Sequence, residues 1–341
     1  MAEQILPGIY RIEIPLPGSP LKALNAYVLK SPDRFLIIDT GWNRDECLRS
    51  MLSGLQELKV NLSKTDFFIT HLHADHIGLV EKLMLGTSKV YLGEIDASVA
   101  ISIRTRTKER LDRLYRMHPS HGFPKAELRR AVENHPGFHY GSPLPFDFNI
   151  LRDGDILELG NYSFQCIETP GQSLGHMCLY EARKKILFAG DHILFDITPN
   201  ITRWPEMEKP LEKYLSSLEK VYSLDVKLLL PGHRRLMNNH RARSEELREY
   251  HKKRLNEAIH ALELGEKAAW EVAPHLSWNI HSNAWERFPS IQKWFALGET
   301  IAHLEYLEAC GCTMSRVHKK KLMFSLRSAI DGGKSTLLGD L

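Results

Sequence analysis

Apolar and polar residues alternate in Ile9-Tyr10-Arg11-Ile12-Glu13-Ile14, and short apolar runs follow at Ala26-Tyr27-Val28-Leu29 and Phe35-Leu36-Ile37-Ile38-Asp39. Period-two alternation and β-branched content predict strands joined by turns. Leu48, Met51, Leu52 and Leu55 recur at helical spacing, so Glu46 to Leu58 reads as a helix after the polar turn Asp39-Thr40-Gly41. A short buried strand is expected at Asp66 to Thr70, a helix from Asp75 to Leu85, and a further strand at Val90 to Leu92. Strands resume at Asp155 to Leu159, Tyr162 to Glu168, Met177 to Tyr180, Ile186 to Ala189 and Lys227 to Leu230. Between the two series, Ile95 to His135 is polar, basic and helical in pattern, and reads as an insertion over about residues 95–145. Mixed strands and helices in two halves suit an α/β (α+β) protein with sheets packed together and helices outside.

After Pro231-Gly232-His233 the pattern turns almost wholly helical, with a long amphipathic run from Arg243 to Leu264 and another from Ile301 to Ala309. Thr313 to Val317, the basic turn His318-Lys319-Lys320-Lys321 and Leu322 to Leu326 then suit a β hairpin, in an order that resembles a winged helix. Two domains are expected, residues 1–240 and 241–341.

Composition changes this picture little. The 341 residues are 43% hydrophobic and 26% charged, as in an ordinary soluble protein. No apolar run is long enough to span a membrane, and the first twenty residues do not have the form of a secretory signal, so a cytoplasmic protein is expected. Cys47, Cys166, Cys178, Cys310 and Cys312 are scattered and odd in number, which suits reduced thiols rather than a disulfide framework. Net charge is only +3, yet Ser102 to Arg130 holds nine Lys or Arg against three acids. Such an island suits either a solvated helix face or contact with an anionic small-molecule substrate.

Chemistry concentrates in Thr70-His71-Leu72-His73-Ala74-Asp75-His76, three imidazoles and a carboxylate within six positions at a strand-to-helix turn. A loop leaving a strand lets His71 and His73 point one way, while Asp75 and His76 open the helix and aim elsewhere. Two zinc-like ions need more donors than these four. Three candidates follow, each after glycine: His176 in Leu174-Gly175-His176, Asp191 in Ala189-Gly190-Asp191, and His233 in Pro231-Gly232-His233. Taken singly, a histidine after glycine is more often a turn residue; the ordered set is what carries the reading.

These blocks, with Asn25-Ala26-Tyr27 and Asp39-Thr40-Gly41, resemble the metallo-β-lactamase superfamily over about residues 5 to 240. The resemblance implies an αββα sandwich with the site along one edge and a mostly helical C-terminal domain beyond it. It further implies that His71, His73 and His176 bind one divalent ion, that Asp75, His76 and His233 bind the other, and that Asp191 bridges both. Asp75 is also the candidate catalytic residue, orienting the attacking water and accepting its proton. Mixed imidazole and carboxylate donors favour zinc but also accept iron or manganese. Gln172 stands where the family often has a second histidine, which bears on hydrogen bonding around the metals rather than on the ligand set.

The ligand set resembles glyoxalase II and related thioesterases, and equally the phosphodiesterase and nuclease branches; it departs from antibiotic-hydrolysing members, which use a cysteine ligand. A mono-iron sulfur dioxygenase would use only part of the set, and a non-enzymatic metal or nucleic-acid binder would not require all seven residues. Tyr250-His251-Lys252-Lys253-Arg254 and the hairpin region resemble β-lactamase-like proteins that include an endoribonuclease. Glu299, Glu305 and Glu308 make the adjoining helix acidic, however, so packing or a homodimer is favoured over nucleic acid there. Cys310-Gly-Cys312 lacks a partner pair for zinc. Gly332-Gly333-Lys334-Ser335-Thr336 imitates a P-loop without its first glycine or preceding strand. His192, His240, His275, His281 and His303 are read as structural or exposed.

Overall fold

The computed structural model describes residues 2–141, 143–236, 238–278 and 284–327, the side chains of Arg104 and Thr107 excepted. His281 and the P-loop-like segment lie outside the described residues. By compactness the chain forms two units. The first comprises Met1–Thr105, Pro136–Pro199 and Ser217–Arg243; the second comprises Arg106–His135, Asn200–Ser216 and Ser244–Leu341.

The first unit is the expected αββα sandwich. One sheet runs in sequence order through β1 (Ala2–Leu6), β2 (Ile9–Pro15), β3 (Ala23–Lys30), β4 (Phe35–Ile38), β5 (Thr65–Phe68), β6 (Val90–Gly93) and β7 (Asn149–Leu151). Its first four strands pair antiparallel, and β4 to β7 pair parallel. The other sheet, also in sequence order, is β8 (Ile156–Leu159), β9 (Tyr162–Glu168), β10 (Met177–Glu181), β11 (Ile186–Gly190) and β12 (Leu228–Pro231), with β11 and β12 parallel.

Alternate residues of the first sheet enter two different cores. Leu24, Ala26, Val28, Ile37 and Phe67 join a cluster with Met51, Leu55 and Leu83 from helices. Tyr27, Leu29, Leu36, Ile38 and Phe68 instead meet Phe164, Leu179, Phe188 and Leu230 of the second sheet. Burial on both faces explains why β3 and β4 read as nearly continuous apolar runs.

The single helix expected from Asp75 to Leu85 is two short ones, Ala74–Ile77 and Val80–Leu83. The His76 carbonyl, which a continuous helix would pair with a later amide, accepts from the Thr40 backbone N–H at 2.8 Å and from its hydroxyl at 2.8 Å. The Leu79 N–H in turn donates to Thr40 Oγ1. Contacts across 36 residues thus outcompete local propensity, and they pin the histidine-rich turn.

The second unit takes the central part of the expected insertion together with the C-terminal region. The basic run is mostly helical, over Glu94–Ser120 and Lys125–Glu133, with non-helical dihedrals at Arg106. Leu128 and Ala131 bury the apolar face of the shorter helix, and Glu127 meets Ser290 and Lys293 at the start of helix Ser290–Ala309. His118 stacks on Trp294 of that same helix. A small antiparallel sheet follows, in the order β13 (Lys267–Ala268), β15 (Lys321–Leu326), β14 (Thr313–His318). Among the described residues no helix is long and apolar enough to cross a membrane.

Candidate metal centre

All seven candidate donors lie in the first unit, just beyond strand ends on one edge of the sandwich. His71, His73, Asp75 and His76 follow β5, His176 precedes β10, Asp191 follows β11, and His233 follows β12. Glycine permits the closest approaches. Gly190 has φ +48, and a Cβ there would stand 2.7 Å from His176 Nε2; a Cβ on Gly232 would stand 2.6 Å from Asp191 Oδ1.

The structure brings five of the seven into mutual reach. His71, His76 and Asp191 form one group, and Asp75, His76 and His233 another, with donor atoms in each group within 4.8 Å of one another. Asp191 Oδ1 is 3.5 Å from both His76 Nε2 and His233 Nε2, and Asp75 Oδ2 is 3.4 Å from His233 Nε2. His73 and His176 stand alongside: their rings are 4.6 and 5.1 Å from the His71 ring. His176 Nε2 accepts the Asp191 backbone N–H at 3.1 Å.

Each imidazole is held by its other nitrogen. His76 Nδ1 donates to Asp39 Oδ2 at 2.7 Å, and Asp39 also accepts the Thr70 amide and hydroxyl. His233 Nδ1 donates to the Ala23 carbonyl at 2.6 Å. His71 and His176 pair through Nδ1 with the hydroxyls of Thr70 and Thr169. Gln172 reaches His73 Nδ1 at 3.0 Å through its amide nitrogen, while its buried carbonyl oxygen has no partner. Turning that amide over makes the oxygen the acceptor for Nδ1–H and leaves the His73 Nε2 lone pair free. Gln172 therefore fills the orienting role that the missing histidine put in question.

The inner atoms have no such partners. His71 Nε2, His76 Nε2, His233 Nε2 and Asp191 Oδ1 are buried without a hydrogen bond. A cluster of orphaned acceptors in the interior is costly unless a cation or donor answers it, and the N and O types fit a divalent metal. Burial pushes His71, His73 and His176 below the ordinary imidazole range. Burial also opposes charge on His233, but Asp191 and Asp75 outweigh it and raise that group to about 10. For Asp191, burial favours the neutral acid, yet His233 and His76 hold the carboxyl well below its usual range. Burial opposes charge on His76 too, but Asp39, Asp191 and Asp75 raise it well above the imidazole range. Without a metal the carboxylates therefore face two protonated rings, His76 and His233, beside neutral His71, His73 and His176.

Sequence reasoning missed the work of Asp96. Its carboxylate accepts Leu72 N at 2.9 Å, Ser173 Oγ at 2.8 Å and Gly175 N at 2.7 Å, tying the histidine-rich turn to the loop of His176. Nothing in its local sequence, at the start of a helix, signals that role.

A family model for the metallo-beta-lactamase superfamily matches residues 21–233, and the chain belongs to that superfamily of hydrolases, whose fold implies bound divalent metal ions. A metallo-beta-lactamase family protein of Thermus thermophilus is 28% identical and superposes with a TM-score of 0.81 over 95% of this chain and 100% of its own. A Bacillus subtilis protein named a probable metallo-hydrolase is 24% identical over 313 residues, 88% of this chain and 92% of its own. An atrochrysone carboxyl ACP thioesterase of Aspergillus fumigatus is 25% identical over 237 residues, 68% of this chain and 58% of its own.

Proposed function

We propose that this chain hydrolyses an ester-type bond, a thioester or other carboxylic ester, of an anionic substrate, using two divalent ions, zinc foremost. The observation that carries the reading is the convergence of four orphaned donor atoms with Asp75 at the sandwich edge. His71, His73 and His176 would hold one ion, Asp75, His76 and His233 the other, and Asp191 both. When bound, the ions supply Lewis acidity that brings water towards neutral ionisation and offsets negative charge on the reacting group.

The protein's own part is positioning and proton transfer. Burial alone would raise the Asp75 carboxyl, but His76 and His233 beside it hold it below the usual range, so it is an anion ready to orient water and take its proton. Asp39 and the Ala23 carbonyl hold the Nδ1–H of His76 and His233, turning both Nε2 atoms inward, where a bound ion would take the place of a proton. The thioesterase among the relatives supports the choice of bond. The basic stretch from Ser102 to Arg130 is the candidate for recognising substrate charge, although Arg110 and Arg113 lie 3.5 Å from Glu206 and are partly spent within their own unit. Arg106 and Lys108 are exposed.

Helix Ser290–Ala309 has most of its length buried, including Glu299, which supports a packing role for a winged-helix-like second unit rather than nucleic-acid reading. Five free cysteines support a reducing, cytoplasmic setting. Initial rates of the zinc-loaded protein on a thioester, a carboxylic ester and a phosphodiester of matched charge test the proposal. Turnover of either of the first two is expected; turnover of the phosphodiester alone would replace it with the phosphodiesterase reading. Arg106→Ala with Lys108→Ala should raise KM for the charged substrate only, and equal effects on a neutral ester would remove the stretch from recognition.

A further inference from the structure

Helix His240–Glu263 presents His251, and helix Ser290–Ala309 presents Glu299 and His303 four residues apart, hence on one face. All three are buried, with donor atoms within 4.8 Å of one another. The hydrogen bonds fix their protons. His303 Nδ1 lies 2.7 Å from the Glu299 carbonyl oxygen, an acceptor only, so it carries the hydrogen and leaves a lone pair on Nε2. That lone pair faces His251 Nδ1 at 3.2 Å. His251 Nδ1 must then be the donor, and its Nε2 is a second bare lone pair, buried without a hydrogen bond. Glu299 Oε1 likewise makes no hydrogen bond, its one described charged neighbour being Arg254.

Arg254 is the only described cation that the structure sets against this carboxylate, at 3.2 Å, and it is held from elsewhere. Its Nη2 donates to the Ser277 carbonyl at 2.7 Å, and its guanidinium lies 4.0 Å from the Trp278 ring centroid and 4.6 Å from that of Tyr250. Its Nη1 and Glu299 Oε1 do not complete a hydrogen bond.

We propose that His251, Glu299 and His303 form a further metal site, separate from the sandwich-edge centre, for one divalent transition ion that takes two imidazole nitrogens and a carboxylate oxygen. Two nitrogens bound tetrahedrally at about 2.0–2.1 Å stand roughly 3.3 Å apart, close to the separation found here. His303 keeps its Nδ1–H on the Glu299 carbonyl, the usual way a metal-binding histidine is oriented. His251 ligates through Nδ1, and its ring proton moves to the bare Nε2, so no net proton is released. Burial already keeps both imidazoles neutral, His303 down to about 3. Arg254 opposes the ion and sets its affinity.

Dialysis of the full chain against Zn2+, followed by metal analysis, tests the site. Glu299→Gln, which preserves shape, and His303→Ala should each hold one ion per chain fewer than the unaltered protein, whatever the sandwich-edge centre contains. The same metal content in all three proteins overturns the proposal. Arg254→Met should tighten Zn2+ binding at this site about tenfold; weaker binding would mean that the cluster is built around the guanidinium and would overturn it equally.

Discussion

At the sandwich edge five imidazoles surround two carboxylates; in the helical unit two imidazoles meet one carboxylate and a guanidinium. Both clusters are buried and rich in nitrogen donors. They differ in how many residues fix the donors from behind. At the edge, Asp39, Thr70, Thr169, Gln172 and the Ala23 carbonyl each hold a ring nitrogen. In the helical unit one backbone carbonyl orders both rings in series. Support by many separate partners marks the first as preorganised for catalysis, and the thinner support of the second suits a structural ion.

The comparison can be broken most forcefully at Asp191. Asp191→Ala should lower hydrolysis by about a thousandfold or more and reduce bound metal at the edge, measured by initial rates and metal analysis together. A variant that keeps its metal and its rate would remove Asp191 from the centre. Asp39→Asn leaves the ligands intact but weakens the hold on His76, so metal affinity should fall about 10- to 100-fold, read by competition with a chelator. Unchanged affinity would show that the ligands are preorganised without it.

Acid should act next on buried neutral histidines, which both units hold. Burial lowers His118 to about 3, His121 to about 4 and His303 to about 3, against about 6.5 in an unfolded chain. The unfolded state therefore binds more protons between those values. Stability is fully present above pH 6.5 and falls on acidification towards pH 3–4, by about 1.4 kcal/mol per histidine per pH unit. Denaturant midpoints of the metal-free protein at pH 7.5 and 5.5 would show the drop, and equal midpoints would rule it out. Smallest should be Gln172→Leu, whose effect on metal affinity is expected to stay within about tenfold; a larger loss would rank Gln172 with Asp39.

The candidate donors at the edge were legible because each follows or precedes a strand that can be read from its apolar run. Their supporting partners were less so, since Asp96 and Gln172 acquire meaning only where loops distant in sequence meet. Strands Ala2–Leu6 and Asn149–Leu151 and helix Pro210–Tyr222 went unpredicted. The last has a clear apolar face with Leu211, Tyr214, Leu218 and Val221 buried, but it follows a long irregular stretch that masks its start. His303 was expected to be structural or exposed; it is buried, and its neighbour His251 lies 52 residues away, a separation no local pattern discloses. The broken helix after His76 was hidden for the same reason, its cause being Thr40.

His71, Asp75 and His76 hang from the first sheet, whereas His176, Asp191 and His233 hang from the second. Ions bound by both groups would rivet the two layers together, adding to the hydrogen bonds that already cross between them, such as those of Asn25 and Tyr27 to the Pro231 carbonyl and of His233 to the Ala23 carbonyl. Reactivity and cohesion would then share the same atoms: stripping the metal should loosen the sandwich and lower its melting temperature even in a variant that cannot turn over substrate.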